Sequence, residues 1–260
     1  MYVKQENGLD YEDSNPAAGH HMADCDENIR MADAAIDSSP GADLYILPEM
    51  FSTGFCTEPE TLPDDIGEKT LGWMKEKAAQ TGAAIAGSSV VKENGRYFNR
   101  FFFVMPDGTT DFYDKKHLFT YGGEHEHFTA GSDRTVVEFK GVRILLEICY
   151  DLRFPVWSRN HGDYDMIIYV ASWPSSRRHA WDSLLVARAI ENQCYVAGVN
   201  RTGADPYNEY SGGSVVIDPY GATIAKCEDG RVSAAESEID IVKLEAFRKK
   251  FPVLNDSDVL

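Results

Sequence analysis

The sequence predicts an α/β protein built from layers with mixed sheets. Short apolar runs of strand length recur along it. Amphipathic stretches of helical period separate some of them, while others follow one another across a turn alone. In chain order, residues 1–13 hold little that could be buried, so a first core strand there is expected to be weak. Asp24 to Ile36 has helical periodicity, and Leu44–Leu47 is a short apolar strand. Gly67 to Ala79 is a second helical stretch before the strand Ala83–Val90. Phe101–Met105 and Asp111–Lys115 flank the turn Pro106-Asp107-Gly108 and pair without a helix. Val142–Ile148 and Met166–Ala171 are apolar runs of the kind found in buried strands. Ala180 to Asn192 is a third helix with Trp181, Leu184, Leu185 and Ala189 on one face, followed by the strands Tyr195–Val199 and Ser214–Ile217. Asn255 to Leu260 reads as an exposed end. No repeat, low-complexity tract or Pro/Gly/Ser linker divides residues 1–260, so a single domain is expected.

Composition narrows the function classes. Hydrophobic residues make up 43% and charged residues 26% of 260, an ordinary globular mixture with ample material for a core. The net charge of −17 argues against nucleic acid and anionic membranes as partners, since both bind through excess Lys and Arg. An anionic substrate would need a local cation in its pocket. No apolar run reaches the ~20 residues of a membrane span, and the N-terminus has no secretory h-region. The five cysteines are scattered with no CxxC pair, which disfavours a zinc ribbon and fits a reduced, cytoplasmic protein.

Three residues are candidates for chemistry. Cys149 ends the apolar run Val142–Ile148 and precedes Pro155, a residue suited to a helix start. A cysteine at such a strand end stands where α/β sheets bind ligands. Alone, it reads more readily as a small core residue. Glu49 follows the strand Leu44–Leu47 in Pro48-Glu49-Met50-Phe51. Partial desolvation there disfavours the charged carboxylate, which suits a base that must take a thiol proton near neutrality. The alternative is a surface loop glutamate. Lys115 lies in the strand-like segment Phe112–Phe119, where alternation sets Tyr113, Lys115 and His117 on one face and Asp114 and Lys116 on the other. A lysine inside a site can hold charge developing on a substrate oxygen, but spacing leaves open which of Lys115 and Lys116 points inward.

Leu47-Pro48-Glu49-Met50-Phe51, Lys115-Lys116-His117-Leu118-Phe119 and Cys149-Tyr150-Asp151-Leu152-Arg153-Phe154-Pro155 resemble the three signature segments of the nitrilase, or carbon–nitrogen hydrolase, superfamily, in the family's order. Ser172-Trp173-Pro174 and Ala187-Arg188-Ala189-Ile190-Glu191-Asn192-Gln193 match as well. The resemblance runs from about Ala42 to Glu238 and is closest to the omega-amidase branch. It implies an α-β-β-α sandwich that packs into a four-layer homodimer. It places the family's lysine on Lys115 and adds Glu124, seven residues before Gly131, as a second glutamate that positions Lys115 and the attacking water. The implied chemistry needs no cofactor. Glu49 takes the Cys149 proton, the thiolate attacks an amide carbonyl, and Lys115 with the backbone N–H of Tyr150 holds the oxyanion. The expected substrate is a small amide, such as 2-oxoglutaramate or a similar dicarboxylic acid monoamide, with Arg153 as the carboxylate's partner and Trp173 as a pocket wall. Arg153 reads equally as a structural partner of Asp151, and Phe119 and Tyr121 are further pocket candidates. An N-carbamoyl amine hydrolase, a general aliphatic amidase and, less so, a true nitrilase are the sister activities. A non-catalytic metabolite-binding or scaffold member is the alternative from another class.

Other features read more plainly. Glu124-His125-Glu126-His127 alternates ligand types without a third contributor elsewhere, so no metal is expected. His20-His21 reads as surface. Arg188, Glu191 and Asn192 suit buried polar contacts on a helix, and Cys56 and Cys194 read as packing or exposed thiols. Glu147 departs from the family pattern. Alternation sets it on one face with Arg143, Leu145 and Cys149, where it must be paired or protonated and could disturb the thiol.

Overall fold

The computed structural model describes residues 2–6 and 25–256. Buried backbone N–H and C=O groups need partners, and the apolar runs find them by pairing side by side. The first half of the chain contributes β1 (Tyr2–Glu6), β2 (Leu44–Ile46), β3 (Ala84–Glu93), β4 (Arg96–Val104) and β5 (Thr110–Asp114). The second half contributes β6 (Val136–Phe139), β7 (Val142–Ile148), β8 (Met166–Ala171), β9 (Tyr195–Asn200), β10 (Thr202–Ala204), β11 (Glu209–Ser211), β12 (Val215–Ile217), β13 (Thr223–Lys226) and β14 (Ala234–Glu238). The helices are α1 (Cys25–Asp37), α2 (Ile66–Thr81), the single turn α3 (Glu124–His127), α4 (Arg178–Asn192) and α5 (Ile241–Lys250).

Two six-stranded mixed sheets result, in the orders β14-β1-β2-β3-β4-β5 and β13-β12-β9-β8-β7-β6, beside a β10–β11 ribbon. In each sheet three neighbours run parallel, β1 with β2 and β3, and β7 with β8 and β9. The sheets face each other across a dry layer. Leu44, Ile46, Phe101, Phe103 and Tyr113 from the first meet Ile144, Leu146, Ile148, Ile168 and Val199 from the second. On the outer face of the first sheet, Ala32 and Ile36 of α1 and Met74 and Ala78 of α2 cover Tyr45, Ile85, Phe102 and Val104. On the outer face of the second, Trp181, Leu185 and Ala189 of α4 cover Leu145, Ile167, Tyr169 and Val196. The predicted α-β-β-α sandwich is the fold. Burying side chains of this size stabilises it by ~1.5–3 kcal/mol each.

Val142–Ile148 and Met166–Ala171 have the predicted ends, and the other predicted strands and helices shift by a few residues. The expected weak first strand is a real one: Tyr2–Glu6 pairs antiparallel with β14 and parallel with β2. Main-chain pairing on both sides needs no apolar alternation. Strand β5 ends at Asp114 rather than running on through Phe119. No helix begins at Pro155; a 3-10 turn, Cys149–Arg153, starts at the cysteine itself. His20-His21, Asp24 and residues 257–260 lie outside the described residues, while Asn255 and Asp256 are exposed as expected.

Candidate active site

The site lies at the ends of strands from both sheets. After β2, the chain turns through Glu49 and Met50, with Met50 in the left-handed region at φ 47°. Ser88 of β3 fixes that turn, its hydroxyl accepting from the Met50 N–H at 2.8 Å. Glu49 is thereby buried to 1% exposure, not on a surface loop. Lys115 follows β5 and is equally buried, held by its N–H to the Asn99 carbonyl at 3.0 Å. Glu124 begins α3 and is fully buried.

These three form a carboxylate–ammonium–carboxylate cluster. Lys115 Nζ donates to Glu49 Oε1 at 2.8 Å and to Glu124 Oε2 at 2.9 Å. Asn99 Nδ2 also reaches both acids, at 2.8 Å to Glu49 and 3.1 Å to Glu124. The Ser172 amide donates to Glu49 Oε2 at 2.9 Å, and the Phe119 amide to Glu124 Oε2 at 2.6 Å. Burial works against the charged lysine, but the carboxylates of Glu124 and Glu49 outweigh it and hold the ammonium above its ordinary range. Lys115 is therefore a fixed cation. Lys116 is the outward member of the pair, its ammonium 5.3 Å from the Trp157 ring centroid.

Cys149 sits beside this cluster at the end of β7, with φ 45°. A non-glycine residue held there costs on the order of 1 kcal/mol or more, and such strain gathers at functional sites. The half-buried side chain packs against both the inter-sheet layer and the α4 layer. Burial pushes its thiol well up, the Glu49 carboxylate adds to that, and Lys115 and the Ser172 N–H oppose it. The resting sulfur is a thiol with an acceptor at hand, not a stored thiolate.

Asp151 braces the two halves of the site. It accepts from the Ile148 N–H at 3.0 Å and the Tyr113 hydroxyl at 2.8 Å, and from the His117 N–H at 3.0 Å. The His117 ring stacks on Phe154 at 3.8 Å, so the segment after Lys115 is tied to the turn after Cys149. From α4, Arg188 donates to the Leu152 carbonyl at 2.6 Å and pairs with Glu191 at 2.8 Å, while Asn192 accepts from the Asn160 N–H. The polar contacts expected of that helix are present.

The pocket in front of Cys149 is lined by Lys115, Tyr150, Arg153, Trp173, Arg177 and Tyr210, among others. Arg153 does not pair with Asp151; its guanidinium lies 4.8 Å from the Trp173 ring centroid. Phe119 lines the pocket, whereas Tyr121 is 85% exposed and does not. His125 and Glu126 are exposed and His127 pairs with Glu60, so the alternating run does not converge. Cys56 and Cys194 are buried, and none of the five cysteines is in a disulfide. Glu147 is fully buried, and neither carboxyl oxygen has a hydrogen-bond partner among the described residues. Burial and then the Asp151 charge push its carboxyl well up, against Arg134 and Arg188, so it is protonated and unpaired. It shares the α4 side of β7 with Leu145, and the charges that act most on the Cys149 thiol are those of Glu49 and Lys115. Asn99, the Ser172 amide, Arg177 and Tyr210 escaped the sequence reading. An uncharged polar residue among the aromatics of Tyr97–Phe103 was a signal for Asn99; the others had none.

A layered α-β-β-α sandwich with a cysteine set against a buried Glu–Lys–Glu cluster defines a thiol-dependent hydrolase class. The chain belongs to the carbon–nitrogen hydrolase family, which it matches over residues 17–249. It is 46% identical over 235 residues to the omega-amidase YafV of Escherichia coli (strain K12), covering 89% of this chain and 90% of that protein. It is 39% identical over 237 residues to the 2-oxoglutaramate amidase of Bacillus subtilis (strain 168), covering 88% and 91%. Its structure matches XC1258 from Xanthomonas campestris, a CN-hydrolase superfamily protein with an arsenic adduct in its active site. That match has a TM-score of 0.90 and 38% identity, and covers 100% of this chain and 98% of the other. No helix among the described residues is long and apolar enough to cross a membrane.

Proposed function

We propose that the chain is an amidase that hydrolyses a short dicarboxylic acid monoamide, 2-oxoglutaramate or a close analogue, through a thioester on Cys149. The observation that carries this is a half-buried thiol beside the Glu49–Lys115–Glu124 cluster, in one pocket with Arg153. Glu49 accepts the Sγ proton as the sulfur attacks the amide carbon, so thiolate forms only as the new bond does. Lys115 and the N–H of Tyr150, near the start of the turn, hold the tetrahedral oxyanion. The C–N bond then breaks, Glu49 returns the proton to nitrogen, and ammonia leaves. Water enters, gives a proton to Glu49 with Glu124 and Lys115 fixing its position, and attacks the thioester. The C–S bond breaks, the carboxylic acid leaves, and the sulfur regains its proton from Glu49. Arg153 is a fixed partner for the substrate's carboxylate, and Trp173 is its wall.

Ammonia release from 2-oxoglutaramate by the wild type and by Cys149→Ala tests the reading. Loss in the variant is expected, and equal release would overturn it. Carbon dioxide release beside ammonia would mark a carbamoyl substrate instead. We also read residues 1–260 as one domain that works as a cytoplasmic homodimer, the location resting on five unpaired cysteines. Light scattering on the purified chain checks the dimer.

A further inference from the structure

Arg177 lines the same pocket as Arg153, and no motif singles it out. It closes the 3-10 turn Ser175–Arg177 just before α4, whereas Arg153 closes the turn that begins at Cys149. Each half-buried guanidinium is backed by an aromatic ring: Arg153 at 4.8 Å from the Trp173 centroid and Arg177 at 5.4 Å from that of Phe119. The two supports are linked, because Trp173 Nε1 donates to the Arg177 carbonyl at 2.9 Å. A ring face orients a guanidinium without neutralising it.

Neither arginine has a carboxylate partner among the described residues. Other arginines of this chain differ. Arg100, Arg134, Arg143, Arg178, Arg188 and Arg248 each pair with an acid. The acids nearest the pocket are already committed. Asp151 serves Tyr113, Ile148 and His117, and Asp205 accepts from the Tyr210 hydroxyl at 2.6 Å and from the amides of Tyr207 and Asn208. With a net charge of −17, two uncompensated cations on one pocket form a local inversion of the protein's field.

We infer that Arg177 is a specificity-determining residue: with Arg153 it clamps the carboxylate end of the substrate, remote from the amide, and repels an ammonium carried at that end. This rests on the proposed reading that the pocket takes a monoamide with a distal carboxylate. One guanidinium suffices to bind a carboxylate bidentately. A second on the same pocket adds to the positive field there, so the amides of α-amino acids, with their ammonium beside the carboxylate, are disfavoured against their deaminated counterparts.

The test combines turnover and binding. In Arg177→Met, KM for succinamate is expected to rise about 10- to 100-fold, with kcat within about 3-fold and a much smaller change for propionamide, which has no carboxylate. The ratio of glutamine to succinamate turnover should rise as well. In the Cys149→Ala background, glutarate binding measured by calorimetry should weaken by a similar factor on adding Arg177→Met, and Arg177→Lys should recover part of it. Unchanged glutarate affinity in the Arg177→Met background, with Arg153→Met weakening it, overturns the inference and leaves the amidase reading intact. Absent turnover in the wild type, with glutarate binding that still depends on Arg177, sinks the amidase reading and leaves the clamp standing. Thermal melts of each variant exclude a folding defect as the cause of either result.

Discussion

Replacing Glu147 by glutamine should make the protein more stable, and increasingly so as pH rises. The carboxyl is fully buried on the α4 side of β7, opposite Tyr169 of β8, with no hydrogen-bond partner among the described residues. Burial pushes its pKa well above the ordinary glutamate value, so the folded protein keeps a proton there that the unfolded chain has lost. The sign follows from linkage. For an acid whose folded pKa is raised, the cost is absent below the unfolded value of about 4.3 and grows above it until the folded pKa is reached. Within that window stability falls by about 1.4 kcal/mol per pH unit. Glutamine has the same shape, equally unpaired atoms and no proton to lose. Over two units inside the window it therefore gains ~3 kcal/mol on the wild type. Urea denaturation followed by tryptophan fluorescence at pH 5, 6 and 7 measures the difference directly. A constant offset between the two proteins at all three values would refute the reasoning, because it would mean Glu147 ionises alike in both states. Amide turnover should change little, since the charges that act most on the Cys149 thiol are those of Glu49 and Lys115.

Other perturbations probe the cluster itself. Asn99→Leu removes a donor shared by Glu49 and Glu124, and steady-state kinetics should show kcat/KM falling about 10- to 100-fold, as loss of a charge-assisted hydrogen bond does. Lys115→Met leaves two buried carboxylates without their cation and should cost about 3–5 kcal/mol in urea titrations. Gly131→Ala should lower the melting temperature sharply, because a Cβ there would lie 2.1 Å from the Asp114 carbonyl oxygen, which is backbone and cannot move aside. Iodoacetamide should label Cys149 ahead of the buried Cys56 and Cys194, as read by peptide mass spectrometry.

The sandwich was legible wherever side chains carried the signal. Val142–Ile148 and Met166–Ala171 are buried on both faces and announce themselves as unbroken apolar runs. By contrast, β13 and β14 bury few residues, and the short Tyr2–Glu6 is held by main-chain pairing that composition does not express. Strand length is not legible at Lys115, because Phe112–Phe119 keeps its alternation after the ladder has ended at Asp114. In the site, Glu49, Lys115 and Cys149 could be named because each ends a strand within a motif. Arg177 could not, since Ser175-Ser176-Arg177-Arg178-His179 has the composition of a solvated surface.

The division of the site between the two sheets bears on how the protein is made. Glu49, Lys115 and Glu124 leave the ribosome before Cys149, and the amide that holds Glu49 Oε2 belongs to Ser172. The first sheet lacks β14, the neighbour of β1, until the chain has grown past Glu238. A nascent or truncated chain thus carries two acids and one lysine with no thiol opposite them, or a thiol with no finished sheet behind it. Any reaction that needs Cys149 and this cluster together is therefore expected only once synthesis is nearly complete, and fragments from either half are expected to lack it.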